Sequence, residues 1–198
     1  MKTLAKARTI DPDAKYRQVL NCALQLFVDK GYHRVSIPDI VEASGVSTGA
    51  IYNLFGNKEN LARTLHHQVL SGFQADFVER LLDCATTYEK LRAFAELVYE
   101  KTDSDPITME YLLFMKHAEF MDDMAPICMS EPFCLIRQIV SEGMASGELR
   151  QGNYFISAVT YTGAVLRAAQ LKLECVLEEP LCDLADELIA NAWAAIKA

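Results

Sequence analysis

The amino-acid sequence predicts an all-α protein in which a small N-terminal domain is joined to a larger helical domain. Helix start and stop signals recur along the chain, with capping residues or proline at the starts and glycine or proline after the ends. No stretch alternates apolar and polar residues as a half-buried strand does. The charge is also uneven, because residues 1–67 carry nine Lys or Arg against six Asp or Glu, whereas residues 68–198 carry ten against twenty-one. This asymmetry indicates two parts with different binding partners.

Capping signals define four predicted helices in the first part of the chain. Asp11 and Pro12 open the first helix, since aspartate is a good N-cap and proline is tolerated in the first turn. Ser36 and Asp39 have the spacing of a capping box, which opens the second helix, and Ser47 caps the third. The predicted helices cover residues 12–30, 37–43, 48–54 and 58–82.

The fourth predicted helix has an apolar stripe that rotates around the helix axis. The stripe consists of Leu61, Leu65, Val69, Phe73, Phe77 and Leu81. Its members repeat every four positions, so the stripe drifts by about 40° per step and roughly 200° over five steps. Such a helix can pack first against one body and then against another. We therefore predict that this helix joins a domain of residues 1–57 to a domain of residues 58–198.

Further helices are predicted at about 87–103, 106–122, 126–146, 153–175 and 181–196. The breaks between them fall at prolines and glycines, which interrupt helices. The larger domain is therefore also predicted to be helical throughout.

The second and third predicted helices have the pattern of a helix-turn-helix, whose second helix can enter the major groove of DNA. Gly45 allows the tight turn between them, and apolar residues on both helices are spaced to bury one face. The opposite face of the third helix is small or hydrogen-bonding and contains no acidic residue. Lys58 follows in the first turn of the fourth helix, where it can bind a phosphate together with the free N–H groups of the helix end.

The stretch from Tyr16 to about Leu65 closely resembles the DNA-binding domain of tetracycline-repressor-type (TetR family) regulators. The matching features are Leu-Phe-x-x-x-Gly-Tyr at the end of the first helix, Ile-x-x-x-x-Gly-Val-Ser in the turn, and Ile-Tyr-x-x-Phe-x-x-Lys-Glu-x-Leu after it. The resemblance implies a homodimer, an inverted-repeat operator in double-stranded DNA, and usually repression that a ligand relieves. It also implies that the DNA-facing residues are Ser36, Ser47, Thr48, Tyr52, Asn53 and Lys58.

Structural roles are the alternative for several of these residues. Ser36 and Ser47 would then only cap helices, Tyr52 would mainly pack, and Lys58 would be a solvated charge.

A ligand site is expected in the larger domain. Five of the seven methionines lie within residues 109–129, and methionine suits permissive apolar sites. The alternative is an ordinary hydrophobic core in which the flexible methionine side chains fill irregular gaps. The candidate pocket residues for the unknown small-molecule effector are Phe114, His117, Met121, Met124, Arg137 and Tyr161.

The last two predicted helices mix small and large apolar residues, which allows close helix packing. An intramolecular core would have the same composition, but the family resemblance favours a two-fold four-helix dimer interface. The candidate interface residues are Ala164, Ala168, Leu188, Ile189 and Trp193.

Several function classes find no support in the sequence. The six cysteines show no Cys-x-x-Cys spacing, no metal-ligand pattern is present, and no phosphate-binding loop or nucleophile motif indicates an enzyme or a cofactor. No apolar run reaches the length of a membrane span, and no signal peptide begins the chain, so we expect a cytoplasmic protein with no membrane partner. The sequence thus predicts a dimeric repressor released by an apolar or aromatic ligand. The alternatives are a thiol- or metal-responsive regulator using Cys128, Cys134 and His117, and a DNA-binding dimer with no effector.

Overall fold

A computed structural model describes residues 12–115 and 129–198 of the chain. Helices make up nearly all of the regular structure in these two ranges, and neither range contains a β-strand, which confirms the all-α prediction. A short 3-10 turn, Tyr32–Arg34, lies between the first two helices. The helices are α1 (Pro12–Lys30), α2 (Ile37–Ser44), α3 (Thr48–Phe55), α4 (Lys58–Leu81), α5 (Thr87–Ser104), α6 (Pro106–Phe114), α7 (Glu131–Ser146), α8 (Tyr154–Leu173) and α9 (Leu181–Ala194).

Helix α6 ends before the predicted limit at residue 122. Met115 after it has extended backbone angles, with φ −72° and ψ 132°. The sequence around Phe114 contains no glycine or proline, so it carries no stop signal from which this end could be predicted. Helix α7 begins at Glu131, later than the predicted start at residue 126.

The chain divides into two compact units, Met1–His66 and His67–Ala198. The division falls inside α4, whereas the sequence-based boundary lies between Asn57 and Lys58, at the start of that helix. Leu61, Ala62 and Leu65 account for the difference, because these side chains of the first turns of α4 are fully buried and belong to the first unit.

The first unit is held by local capping signals and by two contacts between residues that are distant in sequence. Ser36 and Asp39 form a capping box at the start of α2, and Gly45 ends that helix with a left-handed φ of 65°. The side chain of Gln18 on α1 donates a hydrogen bond to the carbonyl of Ser44 at 2.7 Å, which ties α1 to the end of α2. The ring of Tyr16 stacks on that of Phe55 with the centroids 5.2 Å apart, which links α1 to the end of α3.

Helix α5 is the central helix of the second unit, where it packs against α6, α7, α8 and α9. Its residue Phe94 meets three other aromatic rings edge-on. The centroid of Phe94 lies 6.2 Å from that of Phe73, 5.5 Å from that of Phe77 and 6.1 Å from that of Phe133. Because edge-to-face aromatic contacts favour specific geometry, this cluster fixes α4 and α7 against α5.

Two helices of the second unit begin at carboxylates that are distant in sequence. The carboxylate of Glu148 accepts hydrogen bonds from the backbone N–H of Thr87 at 3.0 Å and from its hydroxyl at 2.8 Å, at the start of α5. The carboxylate of Asp103 accepts from the backbone N–H groups of Leu181 and Cys182, at 3.1 and 3.0 Å, at the start of α9. These contacts satisfy orphan N–H groups and place negative charge at the positive helix ends.

Gly143 on α7 lies close to Thr87 on α5, and this contact generates a stability prediction. A Cβ atom there would lie 2.5 Å from Cγ2 and 2.8 Å from Oγ1 of Thr87, whose hydroxyl is held by Glu148. We expect Gly143→Ala to lower the free energy of unfolding by about 1–3 kcal/mol, because α5 and α7 must move apart. The measurement is urea denaturation followed by circular dichroism.

Gly72→Ala on α4 is the matched control, since its added Cβ would meet nothing within 4 Å apart from its chain neighbours and the adjacent backbone of its own helix. The control is expected to leave stability unchanged or to raise it by about 1 kcal/mol, because glycine is a poor helix residue. Equal stability of the Gly143→Ala variant and the parent protein would show that the approach of α5 and α7 is not tight.

Candidate nucleic-acid interface and effector cavity

The exposed face of α3 has the polar groups that a DNA-reading helix needs. Ile51 and Phe55 are buried on the other side of this helix, so Thr48, Tyr52 and Asn53 face away from the core. Thr48 and Asn53 are exposed, and the Tyr52 side chain is 49% exposed. Their hydroxyl and amide groups make no hydrogen bond within the described part of the chain. These three predicted DNA-facing residues therefore present available donors and acceptors.

The two predicted serine contacts have structural partners. The Ser36 hydroxyl donates to the Asp39 carboxylate at 2.5 Å and accepts from the Asp39 backbone N–H at 3.3 Å. The Ser36 hydroxyl and the Ser36 backbone N–H, which donates at 2.7 Å, both donate to the Asp39 carboxylate and lower its pKa. Ser47 accepts from the backbone N–H of Ala50 at 3.4 Å, which leaves its own proton available to a phosphate. The geometry thus gives Ser36 a capping role, while Ser47 can cap α3 and donate to DNA together.

Lys58 holds the turn between α1 and α2. Its ammonium donates to the backbone carbonyls of Tyr32 at 3.0 Å and Val35 at 2.8 Å, and it lies 4.0 Å from the centroid of the Tyr32 ring. Burial lowers the pKa of this amine. An ammonium has three N–H donors, so two are used inside the protein and one remains for a phosphate. Lys58 is therefore a structural residue as well as a predicted DNA contact.

Arg34 was not selected by the sequence analysis, although it lies in the turn that Lys58 holds. The turn carries Arg34 and His33 with both side chains exposed. In the sequence, the only feature that could have indicated Arg34 as a DNA contact is the net positive charge of residues 1–67. Lys2, Lys6 and Arg8, which add to that charge, lie outside the described residues.

The second unit contains an apolar cavity among α4, α5, α6, α7 and α8. Its empty volume is about 360 Å³, part of which is open to solvent. Ser130, which precedes α7, is the one polar residue among the described residues that line it. The lining consists of Leu70, Phe73, Phe94, Val98, Met109, Leu112, Leu113, Ser130, Pro132, Phe133 and Leu166.

Only three of the six residues predicted for the ligand pocket can be compared with this lining. His117, Met121 and Met124 lie outside the described residues. Phe114, Arg137 and Tyr161 are described, but none of the three lines the cavity. Two residues close to them in sequence, Met109 and Phe133, do line it.

Each of the three described pocket candidates has another environment. Phe114 is 42% exposed at the end of α6. A guanidinium nitrogen of Arg137 lies 2.9 Å from the sulfur of Cys134, and the guanidinium carbon lies 5.8 Å from the centroid of Phe155. The Tyr161 hydroxyl donates to the carbonyl of Leu91 at 3.0 Å in the core, where burial raises its pKa. The Tyr161 hydroxyl is thus used by the fold.

The predicted interface residues fall on both sides of the last two helices. Ile189 is fully buried and Ala168 is 5% exposed within the protomer. Leu188 is half-buried, and Trp193 is half-buried with its ring centroid 5.1 Å from that of Tyr88. Ala164 is exposed. Neighbouring apolar side chains of α8 are also 40–62% exposed, namely Tyr154, Phe155, Ile156 and Val159.

Metal and thiol sites gain no support from the described residues. Within residues 12–115 and 129–198, no three His, Cys, Asp or Glu side chains are grouped so that they could hold a metal ion. Burial raises the pKa of the Cys182 thiol to about 11, and it also raises the pKa values of Cys22 and Cys84. A raised pKa reduces the fraction of reactive thiolate. Cys128 lies outside the described residues, and Cys134 is exposed on α7.

No helix within the described ranges is long and apolar enough to span a membrane.

Comparison with known proteins agrees with the helix-turn-helix geometry. A model of the family described as bacterial regulatory proteins, tetR family, matches residues 19–65. The chain is 26% identical over 141 residues to the fatty acid metabolism regulator protein of Bacillus subtilis (strain 168), a match that covers 70% of this chain and 72% of that relative.

Solved structures share the fold over nearly the whole chain. The crystal structure of a transcriptional regulator FadR from Bacillus subtilis in complex with stearoyl-CoA has a TM-score of 0.73 and 19% identity, and the match covers 89% of this chain and 97% of that one. The structure of AibR in complex with isovaleryl coenzyme A and operator DNA has a TM-score of 0.63 and 21% identity, with 79% and 86% covered. The family model, the relatives and the helix-turn-helix together agree with the resemblance in the sequence: residues 19–65 are a DNA-binding domain of the tetR family of bacterial regulatory proteins, and the chain is similar to DNA-binding transcriptional regulators over most of its length.

Proposed function

We propose that this regulator is a homodimeric repressor that reads an inverted-repeat operator through α3 and is released by an acyl thioester of coenzyme A. The observation that carries the proposal is the cavity of the second unit, whose described lining is apolar except for Ser130. A hydrocarbon chain gains about 0.8 kcal/mol for each CH₂ group that it buries in such an environment. The ligands of two structural neighbours, stearoyl-CoA and isovaleryl coenzyme A, supply the acyl chemistry.

Coupling between effector and operator is proposed to run through α4. This helix begins at Lys58, which holds the turn of the DNA-binding unit, and it is continuous to Leu81. Its residues Leu70 and Phe73 line the cavity. A dimer reads half-sites about 34–36 Å apart, so a small displacement of the two recognition helices loses contacts. A ligand that prefers a different position of α4 therefore weakens DNA binding.

Asn53 is expected to read a base, since its amide is exposed on α3 and makes no hydrogen bond within the described part of the chain. Asn53→Ala should change the preference among operator variants by about 1–3 kcal/mol without lowering the melting temperature. Mobility-shift titrations against the operator and its single-base variants measure the effect.

Asn21→Ala on the exposed side of α1 provides the matched control for this substitution. It should leave both affinity and base preference unchanged. Unchanged affinity and preference in the Asn53→Ala variant would remove Asn53 from the proposed contacts.

Filling the cavity is expected to abolish the effector response. Leu113 lines the cavity and is half-buried, so Leu113→Trp can place a larger side chain in the space proposed for the acyl chain. Stearoyl-CoA and isovaleryl-CoA are the probes, with free coenzyme A as the negative control. We expect at least one thioester to release operator DNA from the parent protein, but not from the Leu113→Trp variant, whose operator affinity should be close to that of the parent.

Leu82→Trp is the matched control, because Leu82 is 80% exposed and lies outside the cavity lining. This control should respond like the parent. A Leu113→Trp variant that still responds would place the effector elsewhere. A parent protein that binds operator but shows neither binding nor DNA release with either thioester would favour the alternative of a DNA-binding dimer with no acyl effector.

The exposed apolar side chains of α8 are proposed to form the core of the dimer interface. A contiguous exposed apolar surface is typical of an interaction site. We expect Val159→Glu to dissociate the dimer, because an unpaired charge at an interface core is costly to bury. Light scattering coupled to size-exclusion chromatography measures the change.

Val176→Glu is the control, since Val176 is 62% exposed in the segment after α8. Ile189, which the sequence predicted as an interface residue, is a poorer position for this test. It is fully buried, so a charge there would disturb the protomer itself. A dimer that persists in the Val159→Glu variant would move the interface away from this face.

A further inference from the structure

The polar member of the cavity lining, Ser130, has an unusual hydrogen-bonding state. It stands at the N-cap position of α7, yet its side chain makes no capping hydrogen bond. Its Oγ atom is buried and has no hydrogen-bond partner among the described residues. The residue also lines the apolar cavity. A buried hydroxyl at the edge of an apolar cavity thus has no partner among residues 12–115 and 129–198.

The other polar capping side chains of the described helices behave differently. Each accepts a hydrogen bond from a backbone N–H group in the first turn of its helix, as a cap normally does. These residues are Ser36, Ser47, Asn57, Thr86, Asp105 and Asn153. The contrast indicates that the Ser130 hydroxyl does not serve the helix that it precedes.

An unsatisfied buried hydroxyl is costly, because it has left water without gaining a partner. A ligand in the cavity can supply that partner. The start of α7 also favours an oxygen acceptor, since the N-terminal end of a helix carries partial positive charge. Of the groups in an acyl thioester, the carbonyl oxygen is the hydrogen-bond acceptor attached directly to the apolar chain.

We propose that Ser130 Oγ donates a hydrogen bond to the carbonyl oxygen of the bound acyl thioester. The inference rests on the proposed acyl effector and adds a specificity-determining residue to its site. The apolar lining holds the hydrocarbon chain, whereas Ser130 distinguishes an acyl group from an alkyl group of the same length. A site with a polar group rejects a ligand that leaves this group unpaired.

The test compares two ligands that differ at the carbonyl. Stearoyl-CoA has the thioester carbonyl, whereas S-octadecyl-CoA, its thioether analogue, lacks it. Isothermal titration calorimetry measures both dissociation constants for the parent protein and for Ser130→Ala. We expect the parent to bind the thioester about fivefold more tightly than the thioether, and the variant to bind the two with equal affinity.

The melting temperature of the ligand-free protein separates this role from helix capping. Ser130→Ala is expected to keep or raise the melting temperature, because it removes an unpaired buried hydroxyl. Thr86→Ala is the matched control, since Thr86 accepts from the backbone N–H of Glu89 in a working capping box. That control should lower the melting temperature by about 2–4 °C.

The outcomes separate the inference from the proposed function. If Ser130→Ala weakens both ligands equally, or lowers the melting temperature as Thr86→Ala does, Ser130 is a structural residue and the inference is wrong. If the parent binds both ligands equally well, the acyl-chain site stands and the carbonyl contact does not exist. If the parent binds neither of these ligands nor isovaleryl-CoA, the proposed acyl effector fails, and the inference fails with it; if it binds isovaleryl-CoA alone, the same comparison is made between isovaleryl-CoA and its thioether analogue.

Discussion

The contact of Phe94 with Phe73, Phe77 and Phe133 is the interaction on which the second unit depends. Phe94 lies on the central helix α5, and its three partners come from α4 and α7. Three of these four rings, those of Phe73, Phe94 and Phe133, also line the apolar cavity. One set of side chains therefore both packs the helices and lines the cavity that is proposed to bind the effector. A molecule entering the cavity must act on α4 and α5 directly, since interiors are close-packed and transmit strain. Salt bridges from Arg80 to Glu100 and from Lys101 to Asp76 join these two helices further along.

The DNA-binding unit depends on the same helix for a different reason. Lys58, the first residue of α4, donates hydrogen bonds to the carbonyls of Tyr32 and Val35. These bonds fix the turn between α1 and α2. The recognition helix α3 is held by local devices, namely its Ser47 cap and the burial of Ile51 and Phe55. Within the described part of the chain, Thr48, Tyr52 and Asn53 on its outer face make no hydrogen bond, so their polar groups are available to DNA. A displacement of the start of α4 would thus move the turn between α1 and α2 in the DNA-binding unit, and would not alter the residues proposed to contact DNA.

The sequence predicted what local patterns control. The capping box at Ser36, the left-handed Gly45 and the Ser47 cap are visible within a few residues, so the helix-turn-helix could be located closely. Contacts between distant residues could not be predicted. Glu148 at the start of α5, Asp103 at the start of α9 and Gly143 against Thr87 depend on how helices pack, and nothing in their neighbours in sequence marks them. The apolar faces of α8 and α9 were identified, but periodicity does not say which side the protomer covers. Ile189 is consequently core, whereas Val159 is exposed. Tyr161 was predicted as a pocket residue, but its hydroxyl bonds to the carbonyl of Leu91, a partner that is distant in sequence and visible only in the fold.

The proposed linkage of the cavity and the operator through α4 can be tested by thermodynamic reciprocity. If an acyl thioester weakens operator binding by a given factor, the operator must weaken thioester binding by the same factor. The measurement is the dissociation constant of stearoyl-CoA for the dimer, alone and saturated with operator DNA, at one fixed salt concentration. The account predicts that saturation with the operator weakens stearoyl-CoA binding by about 5- to 150-fold, the range of typical coupling energies. An identical dissociation constant in the presence and absence of operator would contradict it, because a ligand with equal affinity for both states cannot shift the equilibrium between them.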